Sequence, residues 1–127
     1  MARRAHFSEL PSVPSPLVET EWKPVRHHLG ISAFGTNAYV AEAAGELVIE
    51  AHSEDGGFEE LYVVLSGRAD FEVDGEHFEA PAGTLIFVEP EEGRSARALE
   101  AGRAILAVGA VPGKAFTVSD WESNLLR

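Results

Sequence analysis

His52, Glu54 and Glu60 fall within one short stretch of the chain. An imidazole with two carboxylates is the donor composition that holds a divalent ion while leaving positions open for substrate or oxygen. The chain contains no cysteine, so disulfides, thiolate nucleophiles, iron–sulfur clusters and Cys-type zinc sites are excluded, and only nitrogen and oxygen donors remain. The same residues also have a plainer reading, because HSEDGG is rich in turn formers and would sit as a solvated loop. His77 follows a hairpin turn, where side chains usually face water. His27 and His28 are neighbours, and on a strand neighbours face opposite ways, so the pair cannot chelate together. All three read as structural or surface residues.

The rest of the sequence narrows the possible chemistry. Asp and Glu outnumber Lys and Arg by 21 to 10, for a net charge of −11, which repels the phosphate backbone and argues against nucleic acid as a partner. No Gly-x-Ser-x-Gly elbow, phosphate-cradling Gly-Lys-Ser/Thr or dinucleotide Gly-x-Gly-x-x-Gly occurs, which disfavours serine hydrolases, kinases and Rossmann oxidoreductases. No apolar run approaches the roughly 20 residues that span a bilayer. The opening MARRAHFSEL has arginines but no apolar block behind them, so no secretory signal is expected and the expected location is the cytoplasm. With 127 residues, 45% of them apolar, one domain with a real core is expected.

The elements that must position these side chains read mostly as short strands. Residues 1–24 contain Pro11, Pro14, Pro16 and Pro24 and are read as an extended arm, either crossing to a second subunit or frayed. From Trp22 onward ISAFGTNAYVAE and ELVIEAH, rich in β-branched and aromatic residues, are read as strands. Alternation puts Glu60, Tyr62 and Val64 on one face of the next strand and Leu61, Val63 and Leu65 on the other. Both faces are substantially apolar, as in a closed barrel or two-layer sandwich. Asp74-Gly75 supplies the positive φ angles of a two-residue hairpin turn. Pro81-Ala82-Gly83 breaks the chain before TLIFV, and 103–111 is one more apolar strand. Ser119-Asp120-Trp121-Glu122 is a capping-box pattern that predicts a short helix. The expected division is therefore an arm at 1–24, a β-barrel at 25–118 and a helix at 119–127. The fold class is all-β, a jelly roll.

Gly45, His52, Glu60 in EELYVVLSG, Gly67 behind it and Gly83 in PAGTLIFVEP follow the order of the two cupin motifs, and residues 45–110 resemble a small single-domain bacterial cupin of the conserved-barrel type. The resemblance implies a double-stranded β-helix whose inward positions on neighbouring strands gather several donors at one internal spot. The chain departs from the motifs in informative ways. The second histidine of His-x-His is Glu54, and Phe58 stands where some cupins carry a ligand histidine. The second motif's histidine is missing from Pro90-Glu91-Glu92-Gly93-Arg94-Ser95, and an arginine there would oppose a dication.

Three functions follow from the resemblance and its departures. The first is a small-molecule-binding barrel with an eroded or partial metal site. In it Glu60, Arg94 or Arg97, with Tyr62 and Phe87 in the pocket wall, would recognise a modest polar ligand. The second is a metal-dependent enzyme of dioxygenase or isomerase type, with His52, Glu54 and Glu60 holding iron, manganese, zinc or nickel. The third is a non-enzymatic sensory or structural module. A homodimer is expected, because small jelly rolls leave an apolar sheet face that pairing covers.

Overall fold

The computed structural model describes residues 2–14, 20–54 and 56–126. Pro16, Asp55 and the last residue of the expected C-terminal helix lie outside them. After a 3-10 turn at Phe7–Glu9 come β1 (Glu21–Lys23), α1 (Val25–Leu29), β2 (Gly35–Val40), β3 (Leu47–His52) and β4 (Glu59–Ser66). They are followed by β5 (Arg68–Val73), β6 (Glu76–Pro81), β7 (Leu85–Val88), β8 (Arg94–Ala98), β9 (Ala104–Ala110) and α2 (Asp120–Leu125). The strands form two antiparallel sheets, ordered β1-β2-β9-β4-β7 and β3-β8-β5-β6. This is the expected jelly roll, with the short helix at its C-terminal end.

Strand alternation builds the core. Tyr62 and Val64 of β4, Ile86 and Val88 of β7 and Ile105 of β9 point from one sheet toward Val48 and Phe71 of the other. At about 25 cal/mol per Å² of apolar surface buried, each large side chain of this set contributes roughly 1.5–3 kcal/mol before the entropy of ordering is counted. Asp74 and Gly75 both take positive φ, and Val73 pairs with Glu76 across them, so the hairpin is built as its sequence requires. Gly67 is needed for a second reason besides its φ of 64°. A Cβ there would lie 0.7 Å from the buried Arg103 guanidinium, so any side chain would evict that arginine.

Three expectations are corrected. Residues 25–29 form a helix rather than a strand, closed by Gly30 in the left-handed region. His27 and His28 therefore lie edge to face, with His28 against the Pro11 carbonyl. The described part of the N-terminal arm packs on its own barrel. Val13 bridges Trp22, β1 pairs with β2, and Leu10 joins Val25 and Ala38 in a second apolar cluster. Ser119 stands at the N-cap of α2 but its hydroxyl makes no capping bond, and Glu122, the would-be reciprocal partner, is drawn instead into a 2.6 Å ion pair with Arg26.

Candidate functional site

One end of the barrel carries the site. β3 ends at His52, β4 begins one loop later at Glu59, and β8 begins at Arg94, directly across from His52 in the β3–β8 register. The two sheets thus bring His52 and Arg94 from one side toward Glu60 from the other, while the connecting loop supplies Glu54. On β9 Gly109 sits opposite Glu60, and a Cβ there would come within 3.2 Å of the Glu60 side chain. The absent side chain is what lets that carboxylate lie inside the barrel.

Glu60 Oε1 is the hub. The Tyr62 hydroxyl donates to it at 2.7 Å, Arg94 Nη1 lies at 3.7 Å and His52 Nε2 at 3.9 Å. Glu54 approaches the same two cations, 3.0 Å from His52 Nε2 and 3.8 Å from Arg94 Nη1. His52 Nδ1 is held by the backbone carbonyl of Glu50 at 2.7 Å, which leaves Nε2 facing the carboxylates. The Arg94 side chain is 0% exposed, and its Nη2 donates to the Glu89 carbonyl.

Proximity decides the protonation states. Burial works against a charged His52, but the bond with Glu54, the nearby Glu60 carboxylate and the bond with the Glu50 carbonyl outweigh it and push the imidazole up to about 10. Burial likewise favours neutral Glu60, yet the neighbouring His52, the bond from Tyr62 and the charge of Arg94 hold the carboxyl below its ordinary value. Tyr62 is raised, first by burial and then by Glu60, so its proton stays on and donates.

His52, Glu54 and Glu60 offer one ligand atom each, all within 4.8 Å of one another, so the cluster could hold a metal ion. The fit is incomplete on one count. The buried Arg94 guanidinium already places positive charge beside both carboxylates, and a dication entering there would meet that charge at close range in a partly desolvated site.

Above the cluster lies a cavity of about 380 Å³ between the sheets, into which Glu50, His52, Glu54 and Glu60 project. Its aromatic wall is made by Trp22, Tyr39 and Tyr62, and by Trp121 of α2. The rings of Trp22 and Trp121 are 5.1 Å apart, Trp22 Nε1 donates to the Asn37 side chain, and the Arg26–Glu122 pair fixes α2 in place. A smaller annex between Phe58 and Phe116 adjoins it, the two rings packed edge to face. Phe58 thus packs against the C-terminal segment.

Of the residues expected at the site, the fold gathers His52, Glu54, Glu60, Tyr62 and Arg94. Phe87 is a correction, since on β7 Ile86 and Val88 turn inward and Phe87 is 56% exposed. TLIFV is apolar in both phases, so its phase could not be read from the sequence. Arg97 is exposed as well and donates to the Gly45 carbonyl. It stands three residues after Arg94, and an odd spacing on a strand reverses the face. Glu50 and Trp121 were missed. Glu50 is two residues before His52, and plain strand alternation, which puts such a pair on one face, could have flagged it, although β3 carries a register shift between Ile49 and His52. Nothing local in the Trp121 segment points toward the cavity.

The chain belongs to the cupin family: a Cupin domain model matches residues 38–109, more than half of the 127 residues. No curated protein matches it. Among solved structures it is similar to the polyketide cyclase RemF from Streptomyces resistomycificus, with a TM-score of 0.69, 18% identity, and 94% of this chain and 89% of that one covered. It is also similar to a protein from Thermotoga maritima described as a predicted oxalate decarboxylase (0.69, 20%, 86% and 99%). A Cupin 2 conserved barrel domain protein from Salinispora arenicola is comparable (0.68, 16%, 88% and 90%). At these identities the likeness shows the fold alone.

Proposed function

We propose that this protein is a small-molecule-binding cupin whose inherited metal position has become an internally balanced charge cluster. The observation that carries this reading is Arg94, buried at zero side-chain exposure and within 4 Å of both Glu54 and Glu60. It supplies the positive charge these carboxylates need, because buried charges are tolerated only when paired. With the carboxylate charge offset from within by Arg94 at 3.7–3.8 Å, the cavity above them serves recognition, and its volume lies in the usual range for small-molecule sites. Native mass spectrometry of gently purified protein and a metabolite-panel thermal melt test this. At least one compound should co-purify or raise the midpoint. Silence in both would overturn the reading.

The runner-up is a metal-dependent enzyme of dioxygenase or isomerase type. Its support is the three convergent donors and the Nδ1–carbonyl bond of His52, which leaves Nε2 as the ligand atom. His52, Glu54 and Glu60 would hold the ion, and the ion would supply Lewis-acid or redox chemistry. Elemental analysis after supplementation with iron, manganese, zinc and nickel separates the two. Near one metal per chain selects the enzyme, and well under one selects the binding protein.

A homodimer completes the proposal, with a second copy covering the outward side chains Leu85 and Phe87, both more than half exposed. Light scattering should give twice the chain mass, and a Leu85→Ser/Phe87→Ser variant should run as a monomer.

A further inference from the structure

We infer that the cavity is built for a small organic cation, a ligand carrying an ammonium group; this rests on the small-molecule reading above and names its ligand class.

The cavity walls carry an excess of negative charge. Three carboxylates project there, Glu50, Glu54 and Glu60. The positive groups beside them are Arg94 and His52. The sum is negative whether His52 is charged or neutral. Position sharpens the count. Arg94 is shut away behind Glu54 and Glu60 and presents no surface of its own, and His52 faces the same two carboxylates. An incoming carboxylate or phosphate would therefore meet oxygen first and find no free cationic donor.

Glu50 is the unspent charge. It lines the cavity together with His52 of the same strand. Among the described residues its carboxylate makes no hydrogen bond or ion pair, only its backbone carbonyl being engaged, by His52. The Tyr39 hydroxyl beside it is held protonated, first by burial and then by Glu60, Glu50 and Glu54.

The remaining wall suits the same guest. Tyr39, Trp22 and Trp121 line the cavity, with Trp121 tilted against Trp22. Ring faces attract a cation through their quadrupole, most strongly when it is desolvated. A neutral polyol would use Asn37 and Glu50 but leave the excess negative charge uncompensated. An ammonium ion satisfies both the free carboxylate and the rings. A cavity of about 380 Å³ admits only a small molecule.

The chain has two tryptophans, and both line this cavity, so intrinsic fluorescence reads occupancy directly. Three probes of matched shape are titrated into the full chain: choline, its neutral carbon isostere 3,3-dimethylbutan-1-ol, and the anion 3,3-dimethylbutanoate. Choline should shift the emission saturably and bind at least about tenfold more tightly than the alcohol, with no response to the anion. Glu50→Gln, checked for folding by circular dichroism, should weaken choline about tenfold and leave the alcohol unchanged. Equal or tighter binding of the alcohol or the anion, or no response to choline, would overturn the cation assignment. The small-molecule reading would survive that result if the metabolite panel stabilises the protein, and falls only if the panel is silent too.

Discussion

The barrel carries two clusters of one composition, an imidazole between two carboxylates, and they behave differently. Inside, His52 faces Glu54 and Glu60; outside, on β5 and β6, His77 contacts Asp70 at 3.2 Å and Glu72 at 3.0 Å. The shortest contact is 3.0 Å in each, although Glu60 stands 3.9 Å from His52. The surroundings differ: the His52 side chain is 27% exposed and that of His77 61%, and only the inner cluster has a buried arginine against it. Both imidazoles are raised, His77 first by its hydrogen bond with Asp70. Water and salt screen the outer set, so it holds a surface patch together and little else. In the inner set each charge depends on the others, and removing one leaves the rest stranded.

The sharpest way to break the contrast is to remove the guanidinium. Arg94→Met should destabilise the fold by about 3 kcal/mol, since it strands two partly buried carboxylates, and urea unfolding measures it. The same variant should bind Zn²⁺ or Mn²⁺ at least about tenfold more tightly than the parent protein, because the charge that opposed the ion is gone. A small loss with no gain in metal affinity would show that water already satisfies Glu54 and Glu60.

Next in size is Tyr62→Phe, which deletes the donor to Glu60. A hydrogen bond to a charged group is worth about 1.5–3 kcal/mol, so the loss should approach 2 kcal/mol, and Glu60 should titrate at higher pH by carbon-detected NMR. An unchanged Glu60 would mean that the phenol is not its partner in solution.

The pH profile follows with its signs fixed. His52 is raised from 6.5 to about 10, so its contribution is fully present below pH 6.5 and is lost as pH rises through about 10. Glu60 is lowered, so its contribution is present above its ordinary value of 4.5 and is lost as pH falls. Stability should therefore decline between pH 6.5 and 10 in the parent protein and less steeply in His52→Gln. Parallel profiles would remove His52 from the cluster.

The smallest effect belongs to the outer set. His77→Gln should leave the unfolding midpoint unchanged. The His77 imidazole should slide back toward its ordinary value in 0.5 M NaCl, a concentration well above that giving a Debye length of about 8 Å, while His52 stays put. Two-dimensional NMR of the ring protons reads both residues in one experiment. Equal salt sensitivity would erase the distinction between the clusters.

Much of this is legible in the sequence alone. Asp74-Gly75 specifies its own turn, and the order of Gly45, His52, Glu60, Gly67 and Gly83 marks a cupin. The two-residue period of β4 puts Glu60 with Tyr62. These are local properties, written in backbone preference and in the pleat, so a short window of sequence contains them. The inner and outer clusters are harder to tell apart, because His, Glu and Asp have the same spelling whether a strand turns them into a barrel or out to water.

What only the tertiary structure decided is distant along the chain. Arg94 reaches Glu60 because β8 lies beside β3 in one sheet while β4 lies in the other. Trp121 reaches Trp22, and Glu122 reaches Arg26, across most of the sequence. Phe87 faces out and Ile86 in because β4 sets the phase of an apolar strand that carries no phase of its own. The sequence determined which residues could become strands, turns and donors, since those choices are made over a few bonds. Which donors meet, and whether water screens them, depended on strand order and burial, which are properties of the whole chain.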